Sequence, residues 1–430
     1  MLYRKLLFCS MSLAALVACS GDNSGQRPSE AGTSTDAPLS SDSTLSSDAT
    51  DTGALDSTSP DSGVAFADVD SSNADGGSDG GGGDAAIEAT ALADAPANQD
   101  AGNPCPADGG IAVGLPDELR CTGLYSDWTN RVIAPDVMPY TPGVTLWSDG
   151  ATKTRWIWLP PGTKIDTTDM DDWVFPVGTK VWKQFDLGGK TIETRLIWKR
   201  DPSPPWPSAV YRWSADGSST YSLVDGETNV NGSTYEVPAT YMCTKCHQGR
   251  KDFVLGFDLI GTGISTAQGT TLANLLAKGL LTRAPPSTKI VVPEDATQKA
   301  APALAWIHMN CGVTCHSPNL GALGGYSGIR LKLLTNQLFP EAGVAKVGDQ
   351  DTYVTNANMM SRLIPNGHSY LRIAPGNSAQ SLLSLMTLAR APDSGPFDPM
   401  PPLVSHVADT ADVRLIQAWI DALPPGGDPP

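Results

Sequence analysis

Between residues 150 and 215 the chain alternates short runs of β-branched and aromatic residues with turn signals. Trp156 to Leu159, Lys180 to Leu187, Thr191 to Trp198 and Val210 to Trp213 carry the apolar positions. Pro160-Pro161-Gly162, Gly188-Gly189 and the Pro-studded stretch 201–207 separate them. In the third run Ile192, Thr194, Leu196 and Trp198 fall on one face, with Glu193 and Arg195 on the other, the period of a half-buried strand. Gly188-Gly189 between two such runs predicts a tight hairpin. Beyond residue 236 the period lengthens. Leu272, Leu275, Leu276 and Leu280 recur at helical spacing, and residues 239–247 and 301–310 read as helical. Residues 377–388 and 410–423 read as two further helices, the last with Val413, Ile416, Trp419 and Ile420 on one stripe. The patterns predict an α+β multidomain chain. An antiparallel β-sandwich-like domain over 105–235 is followed by a mainly α-helical region over 236–424.

The first 104 residues fit neither pattern. Arg4 and Lys5 precede a short apolar run, Leu6 to Val17, too short to span a bilayer and typical of a secretory leader. It closes on Leu16-Val17-Ala18-Cys19, which resembles a bacterial lipoprotein signal box. That resemblance implies a signal peptide over 1–18, cleavage before Cys19 and acyl chains on Cys19, a lipid anchor in the membrane. Ser20 in place of Asp after the cysteine implies outer-membrane sorting. An ordinary secretory signal cut after a small residue is the alternative. Both place the mature chain outside the cytoplasm, on the periplasmic or surface side. Residues 20–104 hold 14 Asp and 2 Glu against one basic residue, Arg27, a net of −15 within the chain's −17. The acidity therefore describes a disordered Ser-, Asp- and Gly-rich tether over 19–104 and not the folded part. No basic cluster accompanies exposed aromatics, so nucleic-acid binding has no support.

The chemistry is concentrated in two motifs. Cys243-Thr244-Lys245-Cys246-His247 is a Cys-x-x-Cys-His pentapeptide, the pattern of covalent haem c attachment. Two thiols three residues apart lie on one side of a helical turn and can each add to a vinyl group of one porphyrin. The next histidine is then held against the iron. A redox or zinc Cys-x-x-Cys followed by a chance histidine is the alternative, although no second Cys pair or His cluster has ordinary zinc spacing. Cys311-Gly312-Val313-Thr314-Cys315-His316 is one residue longer. Positions i and i+4 still share a helix face, so the same chemistry is open to it; a Cys311–Cys315 disulfide is the competing reading. Two haem c cofactors are thus expected, with His247 and His316 as proximal iron ligands.

Met400 sits in Pro399-Met400-Pro401-Pro402 ahead of the terminal helix, where class-I cytochromes c present a distal sulfur. It is the expected distal ligand of the second iron, with Met386 as its competitor. For the first iron no ligand is local, and His308 is favoured over Met309, Met170 and His368. Cys105 and Cys121 remain as a disulfide pair in an oxidising compartment. The expected segments are a Trp-rich β domain over 105–235, a first haem segment over 236–295 and a cytochrome c-like second haem domain over 296–424.

From Leu119 onward the sequence resembles the extracytoplasmic di-haem cytochrome c-like proteins of Planctomycetes and Myxobacteria, some of them fused to sugar-dehydrogenase-type propellers. The resemblance is carried by Thr145-Leu146-Trp147-Ser148-Asp149-Gly150-Ala151, Phe175-Pro176-Val177-Gly178-Thr179-Lys180 and Glu193-Thr194-Arg195-Leu196. Val210-Tyr211-Arg212-Trp213, Val254-Leu255-Gly256-Phe257, Ala374-Pro375-Gly376, Ser381-Leu382-Leu383, Met400-Pro401-Pro402 and the two motifs complete it. It implies two c-type haems, an extracytoplasmic location and electron transfer with redox partners such as a periplasmic dehydrogenase or a respiratory complex. The chain departs from it in the extra residue between Cys311 and Cys315.

Two other functions stay open on the residues alone. The missing distal ligand of the first haem suits a di-haem peroxidase- or oxidase-like enzyme with one open iron, although no catalytic acid or base stands out. Nine of the eleven Trp lie between Trp128 and Trp213, which suits a carbohydrate-binding module or, more simply, a β core filled with indoles.

Overall fold

The computed structural model describes Cys105, residues 114–390 and residues 395–426. The leader, Cys19 and the tether fall outside the described residues. Cys105 and Cys121 are joined, with their Cα atoms 5.4 Å apart.

Two short strands, β1 (Tyr125–Asp127) and β2 (Val132–Ile133), form a separate ribbon. Seven more make one sheet: β3 (Met138–Thr141), β4 (Thr152–Trp158), β5 (Lys180–Leu187), β6 (Lys190–Trp198), β7 (Ser208–Trp213), β8 (Thr220–Ser222) and β9 (Gln268–Gly269). Their order is β8-β7-β6-β5-β4-β3-β9, antiparallel throughout. The β5–β6 hairpin turns at Gly188 and Gly189, with φ of 59° and 78°, the left-handed pair that a two-residue hairpin loop requires. The register slips between Phe185↔Glu193 and Asp186↔Thr191, leaving Ile192 as the extra residue of a bulge. Ile192 therefore packs with Phe185, Val210 and Tyr235, not on the face of Leu196 and Trp198 that simple alternation predicts.

The sheet's two faces differ in chemistry. One carries Trp156, Trp158, Trp182, Trp198 and Trp213, all buried. They are covered by Leu119, Leu124, Tyr125, Ala134 and Val137 from the preceding segment. Trp182 Nε1 donates to Thr122 Oγ1 at 3.0 Å and Trp213 Nε1 to Thr194 Oγ1 at 3.0 Å, so these buried indoles keep their hydrogen bonds. Lys180 Nζ sits 3.8 Å from the Trp198 ring centroid. These tryptophans are core and form no exposed platform. The opposite face presents Ile157, Val181 and Ile197 to the rest of the chain.

The second half contributes α1 (Cys243–His247), α2 (Leu259–Gly263), α3 (Leu272–Ala277), α4 (Ala300–Ile307), α5 (Thr335–Leu338), α6 (Asp351–Val354), α7 (Leu382–Leu388) and α8 (Thr410–Ala422). Only α8, at 13 residues, exceeds about two turns. Asp409 caps it by accepting from Asp412 N, and Val413, Ile416, Trp419 and Ile420 are its buried stripe, as the periodicity predicts. One core runs from Ile157, Val181 and Ile197 through Phe253 and Phe257 to Leu304, Ile307 and Trp419, crossing positions 235 and 295.

The expected fold class is corrected on both counts. The β part is built on one seven-stranded sheet and not a sandwich, because a short segment with the small β1–β2 ribbon on one side and the motif-bearing half on the other cover its faces. The region after 236 is not mainly α-helical. Pro285-Pro286, Pro365, Pro375 and Pro401-Pro402 interrupt it, and most of its length is turn and extended chain.

Candidate functional site

Both motifs open onto one cavity of about 490 Å³. Its wall includes Cys243, Cys246, His247, Cys311, Cys315, His316 and Met400. All four motif cysteines are free, so Cys311 and Cys315 are not paired with each other. Among the described residues no group of three or more His, Cys, Asp or Glu side chains gathers to hold a single ion.

A 3-10 turn, Thr240–Met242, leads into α1, which puts Cys243 and Cys246 on the cavity side. His247 Nδ1 donates to the Phe253 carbonyl, which fixes the tautomer and leaves the lone pair on Nε2. Phe253 adopts φ 61°, a conformation that a bulky residue rarely takes, and its ring is anchored in the core. The backbone at this point is thus shaped to aim a carbonyl at the histidine. Burial pushes the His247 imidazole down to about 4, so it is neutral and available as a donor at ordinary pH.

The second motif enters from α4 through a wider turn, His308–Gly312, closed by Val313 N to His308 O at 2.9 Å. His316 N also reaches back five residues, to Cys311 O at 2.9 Å. A π-type turn is an α-helix with one residue inserted. The extra residue of the Cys-x-x-x-Cys-His motif is absorbed there, and both thiols still reach the cavity wall. His316 Nδ1 is buried with no partner among the described residues, and burial pushes its imidazole down to about 4.

The two motifs touch at Gly249. A Cβ on Gly249, two residues after His247, would lie 1.7 Å from the carbonyl oxygen of Thr314, inside the second motif. At Gly324 a Cβ would lie 2.6 Å from His316 Nδ1. Asn319 Nδ2 donates to the Gly249 carbonyl at 2.9 Å. No side chain fits in this seam.

Met400 N donates to Met386 O at 2.9 Å, so the methionine loop is tied to α7, and both methionines line the cavity. Asp149 holds the loop beyond it, accepting from His406 N at 2.7 Å and Ser405 Oγ at 3.2 Å. Trp147 Nε1 donates to Val407 O at 2.7 Å, and Trp147 N donates to Asn310 Oδ1 at 2.7 Å, beside Cys311. The block 145–151 is therefore a strap between the methionine loop and the second motif.

Of the residues weighed for the first iron, Met309 is on the cavity wall, whereas His308, Met170 and His368 are not. His308 is buried, with Nδ1 accepting from Leu333 N at 2.9 Å, and it faces the ionic cluster of Arg250, Asp258 and Lys332. Sequence reasoning did not single out the sheet's share of the wall: Tyr140, Lys183 and Arg195 stand on the same cavity as the motifs. The signal was present. Charged residues alternating with apolar ones in central strands mark a face that is buried without being wholly apolar.

The donor set fits haem c: two pairs of free thiols, two neutral imidazoles and a thioether on one largely apolar wall. No family model, no curated protein and no solved structure matches the chain.

Proposed function

We propose that the chain is a lipid-anchored, extracytoplasmic di-haem c-type protein that carries electrons between a periplasmic dehydrogenase or respiratory complex and a further acceptor. The observation that carries this reading is the single cavity whose wall holds both cysteine pairs, both histidines and Met400. Haem c supplies reversible one-electron chemistry at iron. Cys243 and Cys246 would hold one group and Cys311 and Cys315 the other. His247 and His316 present ring nitrogens that burial keeps neutral. Met400 offers a soft, uncharged sulfur, a ligand that raises the potential of an iron relative to a second histidine. The apolar wall limits water, and the glycine seam keeps the two motifs in backbone contact.

Replacing Met400 with Ala tests the reading. The ferrous wild-type protein should bind little carbon monoxide, and Met400→Ala should open one iron per chain to it. The midpoint potential of that haem should fall by about 59 mV or more, tenfold in the one-electron equilibrium constant. If Met386→Ala opens the iron instead, the ligand is Met386. Rapid carbon monoxide binding at both irons of the wild type contradicts the carrier reading and favours an enzyme with open haem.

A further inference from the structure

The sheet face that meets the first motif carries more positive charge than the described residues neutralise. Arg155, Lys183 and Arg195 are directly opposite one another on β4, β5 and β6. Like charges so placed destabilise a sheet. Arg195 has a partner: its Nε and Nη2 donate to Glu193 at 2.8 and 2.6 Å. Tyr235 Oη also donates to that carboxylate, at 2.7 Å, so Glu193 is fully engaged. Arg155 is 4% exposed and its Nη2 has no partner among the described residues. Lys183 is half-buried and has no hydrogen-bond or ion-pair partner among the described residues, only the Phe185 ring 4.8 Å from Nζ. The acids on the cavity wall are occupied elsewhere, Asp149 by the loop at 405–407 and Glu236 by His406 at 2.7 Å. Buried cations without counter-ions are costly, so the arrangement calls for an anion that the described residues do not supply.

Lys183 and Arg195 are on the wall shared with Cys243, Cys246 and His247. A porphyrin held by those residues brings two carboxylates of its own. We infer that Lys183 and Arg195, with the buried Arg155 behind them in the same row and Lys183 as its open member, are the seat of the propionate carboxylates of the haem attached at Cys243 and Cys246. This gives the β-sheet a role: its charged face is one wall of the haem site, while its tryptophan face is core. The inference rests on the di-haem reading above.

The test uses the mature, full-length protein with its haem count measured first. Lys183→Gln should keep both haems and their low-spin spectra. Loss of a cation beside the haem favours the oxidised iron, so one of the two midpoint potentials should fall by about 59 mV, tenfold in the reduction equilibrium. Lys183→Arg should restore it. Two attached haems with both potentials unchanged in Lys183→Gln overturn the inference and leave the di-haem reading standing. A change of spin state in Lys183→Gln also overturns it, because the amine would then be an iron ligand and not a carboxylate partner. A wild-type protein without haem instead removes the reading beneath it.

Discussion

Gly249→Ala is expected to destabilise the folded chain by about 3 kcal/mol, the upper end of the usual cost of overpacking, and to impair maturation at both motifs. The new Cβ would meet backbone, the Thr314 carbonyl oxygen at 1.7 Å and its carbon at 2.7 Å. Backbone cannot rotate aside as a side-chain tip does, so the two motif segments must separate. Asn319 and Ser317 would lose their bonds to the Gly249 carbonyl as they do. Thermal or denaturant unfolding of the variant measures the loss. A stability within about 0.5 kcal/mol of wild type, the range of an innocuous surface change, contradicts the close approach of the motifs.

Asp252→Ala should cost about 3–5 kcal/mol, a large share of the stability of an ordinary domain. Asp252 is 3% exposed and Lys199 1%. The carboxylate accepts from Lys199 Nζ at 2.7 and 2.8 Å, from Trp206 Nε1 at 3.0 Å and from Phe175 N at 2.5 Å. Truncation strands all three donors, one of them charged, in the core. Asp252 also immediately precedes Phe253, whose carbonyl holds His247, so the damage should reach the first motif. Removing both charges, as Asp252→Leu with Lys199→Met, should recover much of the loss, since the desolvated pair itself contributes little net stability. Equal destabilisation in the single and double variants contradicts this account.

What could be read along the chain was whatever depends on neighbours in sequence. The Gly188-Gly189 hairpin, the α8 stripe, the two motifs and the Cys105–Cys121 pair are all local patterns, and the structure contains each of them. Ile192 shows the limit even there, because a bulge is a choice made between two strands. The fold class failed for a longer-range reason. A run of strands with a Trp-rich face calls for a covering layer, but periodicity does not say whether that layer is a second sheet or irregular chain. Here it is the segment around Leu119 to Val137. The helices expected around 239–247, 301–310, 377–388 and 410–423 are present in large part. The Pro- and Gly-bearing stretches between them, 317–376 above all, hold no more than a turn or two, so the region as a whole is not mainly helical. At the site, cysteines and histidines announced themselves by spacing. Lys183, Arg195 and Asp149 did not, since each acquires its role only when strands far apart in sequence come together.

The central claim is covalent attachment of one haem at each motif. Intact-mass and peptide mass spectrometry of the protein matured in a periplasm that attaches haem c tests it most directly. The expected result is two haem adducts per chain, one on Cys243 and Cys246 and one on Cys311 and Cys315. A single adduct with Cys311 and Cys315 oxidised to a disulfide, or no adduct at all, contradicts it.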